Sequence, residues 1–116
     1  MIEVERVAAR IAKERGFREL VFSKDEIAYC EKKAHPAQHY AARFAAKEAF
    51  FKALGTGWAA GTVFYEVEIL PDGQGAPQVV LTGATKETLR PRGIAKIWVS
   101  LTHLEKNAAA MVVLEG

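Results

Sequence analysis

The chain has a single cysteine, Cys30, among its 116 residues, so no internal disulfide can staple it. It has no apolar run near the roughly 18 to 20 residues that span a bilayer, and membrane insertion is not expected. A surplus of one charge sign is missing too: sixteen lysines and arginines stand against fourteen aspartates and glutamates, a net charge of +2. Nucleic-acid binding is not expected from that balance, because it asks for a dense basic stripe. The opening Met1-Ile2-Glu3-Val4-Glu5-Arg6 has neither the basic start nor the apolar run of a signal peptide. A reducing cytoplasm is therefore the expected compartment for the lone thiol. Repeats, low-complexity stretches and linkers are also lacking, and so short a chain cannot fill a second core, so one domain over residues 1–116 is expected. What remains is an ordinary folding composition, 50% hydrophobic and 26% charged.

From Val4 to about Arg15, the apolar residues Val4, Val7, Ala8 and Ile11 recur at helical spacing, while Arg6, Arg10 and Lys13 line a different face. Ser23 followed by Glu26 has the form of a capping box, which starts a second helix near Lys24 and ends it before His35-Pro36. Pro36 suits a first helical position. A third helix from Ala37 to Leu54 then meets no internal breaker until Gly55-Thr56-Gly57, which suits a C-cap. Thr62 to Leu70 is β-branched, aromatic and partly alternating, and predicts a strand that turns at Pro71-Asp72-Gly73. Gln78–Thr82, Lys96–Thr102 and Ala108–Leu114 predict further strands, with a short helix from Ala84 to about Leu89. The expected fold class is α+β, early helices packed on a largely antiparallel sheet.

The third helix carries the chemistry. It is mostly apolar, yet Arg43, Lys47, Glu48 and Lys52 fall on neighbouring sectors and read as one charged side. A carboxylate beside cations can hold a divalent metal and anionic oxygens together: magnesium in phosphate chemistry takes one or two carboxylates plus substrate oxygens. The plainer reading of Glu48 and Lys52 is a solvent-facing i, i+4 pair worth a few tenths of a kcal/mol. Spacing alone leaves both open. Cys30, His35 and His39 form a weaker zinc pattern, one cysteine short of the usual structural set.

The run Phe44-Ala45-x-Lys47-Glu48-Ala49-x-x-Lys52 resembles the signature of the phosphopantetheinyl transferase superfamily. With Arg43 before it and Ala53-Leu54-Gly55-Thr56-Gly57 after it, it is similar to the small bacterial holo-acyl-carrier-protein synthase branch. Likeness continues at Ile2-Glu3-Val4-Glu5-Arg6, Phe22-Ser23-x-x-Glu26, Pro36-Ala37-Gln38, Gly75-Ala76-Pro77 and Val99-Ser100-Leu101-Thr102-His103. The resemblance implies a magnesium-dependent transferase that moves 4'-phosphopantetheine from coenzyme A to a serine of apo acyl-carrier protein, releasing 3',5'-ADP. It implies Glu48 as metal ligand and base and Lys52 as the residue that steadies the phosphates or protonates the leaving group. Arg43, Lys47, Gly55, Gly57 and His103 would contact coenzyme A, with the two glycines letting backbone approach the phosphates.

The resemblance further implies that Arg6, Arg10 and Lys13, with Arg18 nearby, dock an acidic carrier protein, and that the chain works as a homotrimer in fatty-acid synthesis. Family members open with a strand ending in Gly-x-Asp, whose aspartate is the other magnesium ligand; that position would fall just before Ile2, outside this chain. Glu3 is not promoted in its place. An N-terminally short chain, weaker in magnesium binding and activity, is the resulting expectation. The rival is a catalytically impaired relative that binds coenzyme A or carrier protein without turnover. A nucleic-acid module using Phe64 and Tyr65 is opposed by the neighbouring Glu66 and Glu68.

Overall fold

The computed structural model describes residues 1–55 and 60–116. A two-residue strand β1 (Ile2–Glu3) leads into α1 (Val4–Lys13), α2 (Phe17–Val21), α3 (Lys24–Glu31) and the long α4 (Pro36–Ala53). A 3-10 turn (Phe64–Glu66) precedes the hairpin β2 (Val67–Pro71) and β3 (Pro77–Leu81). Helix α5 (Gly83–Leu89), a second 3-10 turn (Arg90–Arg92), β4 (Lys96–His103) and β5 (Asn107–Glu115) complete the order. One sheet runs β1-β5-β4 and the other is the β2-β3 hairpin, with every pairing antiparallel. The class is α+β, as the sequence pattern implies.

Local chemistry accounts for the boundaries. The Ser23 hydroxyl accepts from Glu26 N while the Glu26 carboxylate accepts from Ser23 N, so the capping box closes. Pro36 opens α4 at its first turn. At its other end Gly55 lies at φ +80 and donates to the Lys52 carbonyl, while Arg92 reaches across to the Leu54 carbonyl at 2.7 Å. In the hairpin, Asp72 Oδ1 accepts from Gln74 N and Ala76 N, which folds the turn back on itself.

Helix α4 lies across β5 and β4, and its fully buried Ala41, Ala42 and Ala46 let the backbone come close to the sheet. Phe22, Tyr40 and Val7 fill the core on the α1 to α3 side, and Phe50, Phe51 and Val67 fill it beneath the hairpin. Phe64 packs against both clusters and stacks on Phe51 at 5.1 Å between centroids.

Two sequence expectations are corrected. Residues 62 to 66 do not extend β2. Val63 N is taken by the Thr85 hydroxyl and the Phe64 carbonyl turns inward to Lys47, so hydrogen bonds to side chains displace a ladder there. Helix α2 is an addition: at five residues it shows only one i, i+4 apolar pair, Phe17 and Val21, too little for a period to register. The sheet edge also persists in the short β1, where Ile2 pairs with Ala108 and Glu3 with Asn107.

Candidate active site

Helix α4 separates its four charges into two pairs. Arg43 and Lys47 are 3% and 0% exposed, whereas Glu48 and Lys52 lie on the exposed side. The sequence reading placed all four on one side, but a step of one residue turns a helix by about 100°, enough to put Lys47 inside and Glu48 outside.

Lys47 is a structural cation. Its Nζ donates to Glu26 Oε1 at 2.8 Å, to the Phe64 carbonyl at 2.9 Å and to the Val67 carbonyl at 2.6 Å, which accounts for all three ammonium hydrogens. Desolvation lowers its pKa from the usual lysine value, with the Glu26 carboxylate acting against that shift. With every donor committed inside the protein, Lys47 does not present itself to a substrate in this arrangement, contrary to the sequence expectation. Arg43 donates from Nε to the Ile69 carbonyl at 2.9 Å, and its guanidinium lies over the Tyr29 ring at 4.4 Å.

Glu48 and Lys52 have no side-chain hydrogen bond or ion pair among the described residues, and the simple surface pair does not form. A free carboxylate with a free ammonium one turn along leaves two opposite charges for outside ligands. A hard cation fits this donor set, since magnesium is commonly held by one or two carboxylates and completed by substrate phosphates. Among the described residues no group of three or more His, Cys, Asp or Glu gathers as an all-protein metal cage. Cys30 is fully buried whereas His35 is exposed, and burial pushes the Cys30 thiol up to about 12.

His103 closes β4 with Nδ1 at 2.9 Å from Gln38 Oε1 and its ring 4.7 Å from that of His39. Both histidines and Arg43 line a concavity of about 190 Å³ with Tyr29, Gly75 and Pro77. Burial, then the neighbouring His103 and Arg43, lowers the His39 pKa to about 4. Arg43 and His103, far apart in sequence, thus meet at one surface. Gly55 is exposed with open space around it; Gly57 lies outside the described residues.

Arg6, Arg10 and Lys13 are exposed on α1. Arg10 pairs with Glu14 at 3.0 Å and covers the Phe17 ring at 4.2 Å. Beside them opens a largely apolar groove of about 510 Å³ lined by Phe17, Leu20, Phe44, Phe64 and Tyr65. Sequence reasoning missed this groove, because Leu20 belongs to the short α2 and Phe64 to a segment read as strand. It also missed Glu26 as the buried partner of Lys47. The capping box located Glu26, but nothing in a linear pattern shows a contact 21 residues away.

Comparison with known proteins matches residues 2–107 to the family model of the 4'-phosphopantetheinyl transferase superfamily. The chain is 44% identical over 117 residues to the holo-acyl-carrier-protein synthase of Syntrophus aciditrophicus, covering 100% of this chain and 91% of that protein. It is 48% identical over 116 residues to the enzyme of the same name from Ruminiclostridium cellulolyticum, covering 98% and 87%. Among solved structures, the Neisseria meningitidis holo-acyl-carrier-protein synthase superposes with a TM-score of 0.88 at 28% identity, covering 99% of this chain and 93% of that one. The Helicobacter pylori enzyme in complex with coenzyme A gives 0.84 at 28%, covering 98% and 95%.

Proposed function

The chain belongs to the 4'-phosphopantetheinyl transferase superfamily, and from that premise we propose that it transfers 4'-phosphopantetheine from coenzyme A to a serine of apo acyl-carrier protein. The observation that carries this reading is the exposed, unengaged Glu48 and Lys52 on a helix that commits Lys47 to a buried ion pair. In the transfer, the serine oxygen bonds to the β-phosphorus of coenzyme A, the bond from that phosphorus to the bridging oxygen breaks, and 3',5'-ADP leaves. A serine hydroxyl is far from ionised at neutral pH, so its proton must pass to a base as it attacks. Glu48 takes that proton, directly or through a water, and Lys52 offsets charge growing on the leaving oxygen. Glu48 is also the side chain that would hold magnesium, whose charge would neutralise the pyrophosphate. Arg43 and His103 would meet the coenzyme A from the small concavity they share.

The basic face of α1, with Arg6, Arg10 and Lys13, suits an acidic carrier and would make association salt-dependent. The setting that fits is fatty-acid synthesis in the cytoplasm, with the chain assembled as a homotrimer. Among the described residues no helix is long and apolar enough to cross a membrane.

The test is intact-mass spectrometry of apo carrier protein incubated with coenzyme A and magnesium. One phosphopantetheine should be added per carrier. Glu48→Ala should lower the rate by at least about a hundredfold, and Lys52→Ala should lower kcat more than it raises KM for coenzyme A. Coenzyme A binding with no mass gain would support a non-catalytic relative instead.

A further inference from the structure

The outer edge of β2 is finished by charged side chains instead of a third strand. Glu26 Oε2 accepts from Ile69 N at 2.9 Å, Arg43 Nε donates to the Ile69 carbonyl at 2.9 Å, and Lys47 Nζ donates to the Val67 carbonyl at 2.6 Å. An edge strand buried without such partners would leave unpaired backbone groups inside the protein. Lys47 and Arg43 are i, i+4 on α4, and Val67 and Ile69 are i, i+2 on β2, so helix and strand are fastened at two matched points. Glu26 joins the third element: it caps α3, accepts from the strand and holds the Lys47 ammonium, with both side chains fully excluded from solvent.

The consequence falls on the next residue. Lys47 fixes the rotation of α4 about its axis, and that rotation decides where the Glu48 carboxylate stands. A buried ion pair is a poor source of stability, because desolvating two charges offsets most of their attraction; its best-attested use is to fix register. We infer that Glu26, acting through Lys47, is a positioning residue that sets the angle at which α4 presents Glu48 to its ligands. This deepens the transferase reading above and rests on it.

The test separates positioning from stability with Glu26→Asp, Ser23→Ala and the double variant Glu26→Gln/Lys47→Met. Glu26→Asp keeps the charge opposite Lys47 but shortens its reach, so it folds where Glu26→Gln alone would strand a buried ammonium. The double variant removes both charges and should recover most of the thermal stability that either single neutralisation loses. Each folded variant is assayed well below its Tm for kcat and KM, and for binding of Mn2+ in the presence of 3',5'-ADP by electron paramagnetic resonance.

Glu26→Asp and the double variant should lower kcat about tenfold to a hundredfold, as a displacement of about 1 Å at a reacting group does. KM for coenzyme A should stay within about threefold of the parent value, and Mn2+ should bind more weakly. Ser23→Ala removes the cap hydroxyl but leaves the Glu26 to Lys47 contact, so it should lower Tm and leave kcat unchanged. A double variant whose kcat returns with its stability, or a Glu26→Asp variant with parent kcat, overturns the inference. Were the parent chain to add no mass to the carrier, the transferase reading would fail, and Mn2+ affinity, with Glu48→Ala as the zero, would still decide the positioning claim. Failure of the parent to bind Mn2+ also overturns that claim.

Discussion

Single residues in this chain are tuned by what surrounds them more than by their type. Of the titratable groups on α4, Tyr40, Arg43 and Lys47 are buried and donate hydrogen bonds inside the protein, His39 is half-buried, and Glu48 and Lys52 face out. His39 gives a measurable case. Burial, then His103 and Arg43, holds its folded pKa at about 4 against an ordinary value of 6.5. The unfolded chain therefore binds a proton first as pH falls. Stability should be full above about pH 6.5, decline between 6.5 and 4, and lose no more from this group below that. Because the ring is only partly shielded, the loss should be about 1 to 2 kcal/mol after discounting for solvent. Urea unfolding at pH 7.5 and pH 5 should show a steeper loss for the parent than for His39→Gln, and the His39 ring protons should not titrate above pH 5 by NMR. A midpoint near 6.5 would mean that the His39 ring is not shielded from solvent as it is here.

Among the elements, the segment from Thr62 to Pro71 shows how far the sequence could be read. Its β-branched and aromatic residues do predict a strand, and Val67–Pro71 forms one. The first part bends instead into the 3-10 turn, because Glu66 is recruited as a cap for α5. Its carboxylate accepts from Ala84 N, Thr85 N and the Thr85 hydroxyl. That cap depends on Gly83, which sits at φ +56 and where any Cβ would collide with the Glu66 carboxylate. Gly83→Ala should destabilise by about 1 to 3 kcal/mol, from the left-handed backbone and the displaced cap together. Equilibrium denaturation would check this, and a neutral Gly83→Ala would show that Glu66 is not held where the contact requires. The capping box of α3 and the Pro36 start of α4 were legible because each is a local signal of a few residues. The division of charges on α4, the Glu26 partnership and the groove beside α1 were not, because each joins residues brought together only by the fold.

For the whole molecule, the unresolved business is one face of the larger sheet. Ile97, Leu101, Val112 and Leu114 face the core, so by the two-residue period of a strand the alternate residues point away from α4. These are Trp98 and Val113, paired across the strands, and Met111, paired with Ser100. They are 48%, 48% and 68% exposed. An apolar patch of this kind on a small protein marks an interaction surface more often than a solvated one, and a chain of this length gains buried area by assembling. Charged neighbours frame the patch at one end: Lys96 lies over the Trp98 ring, and the indole N–H donates to Glu115. The homotrimer proposed above would place this face at its centre. Light scattering should then give about three times the 12.7 kDa chain mass. Met111→Glu should return the protein to a single chain with its helical content intact, because the substitution adds a charge to the assembled centre and none to the core. If each active site is shared between neighbours in such an assembly, that variant should also lose carrier modification while Glu48 and Lys52 are untouched. A parent protein that elutes as one chain and still modifies carrier would remove both the assembly and the shared site, and would leave the apolar face to some other partner.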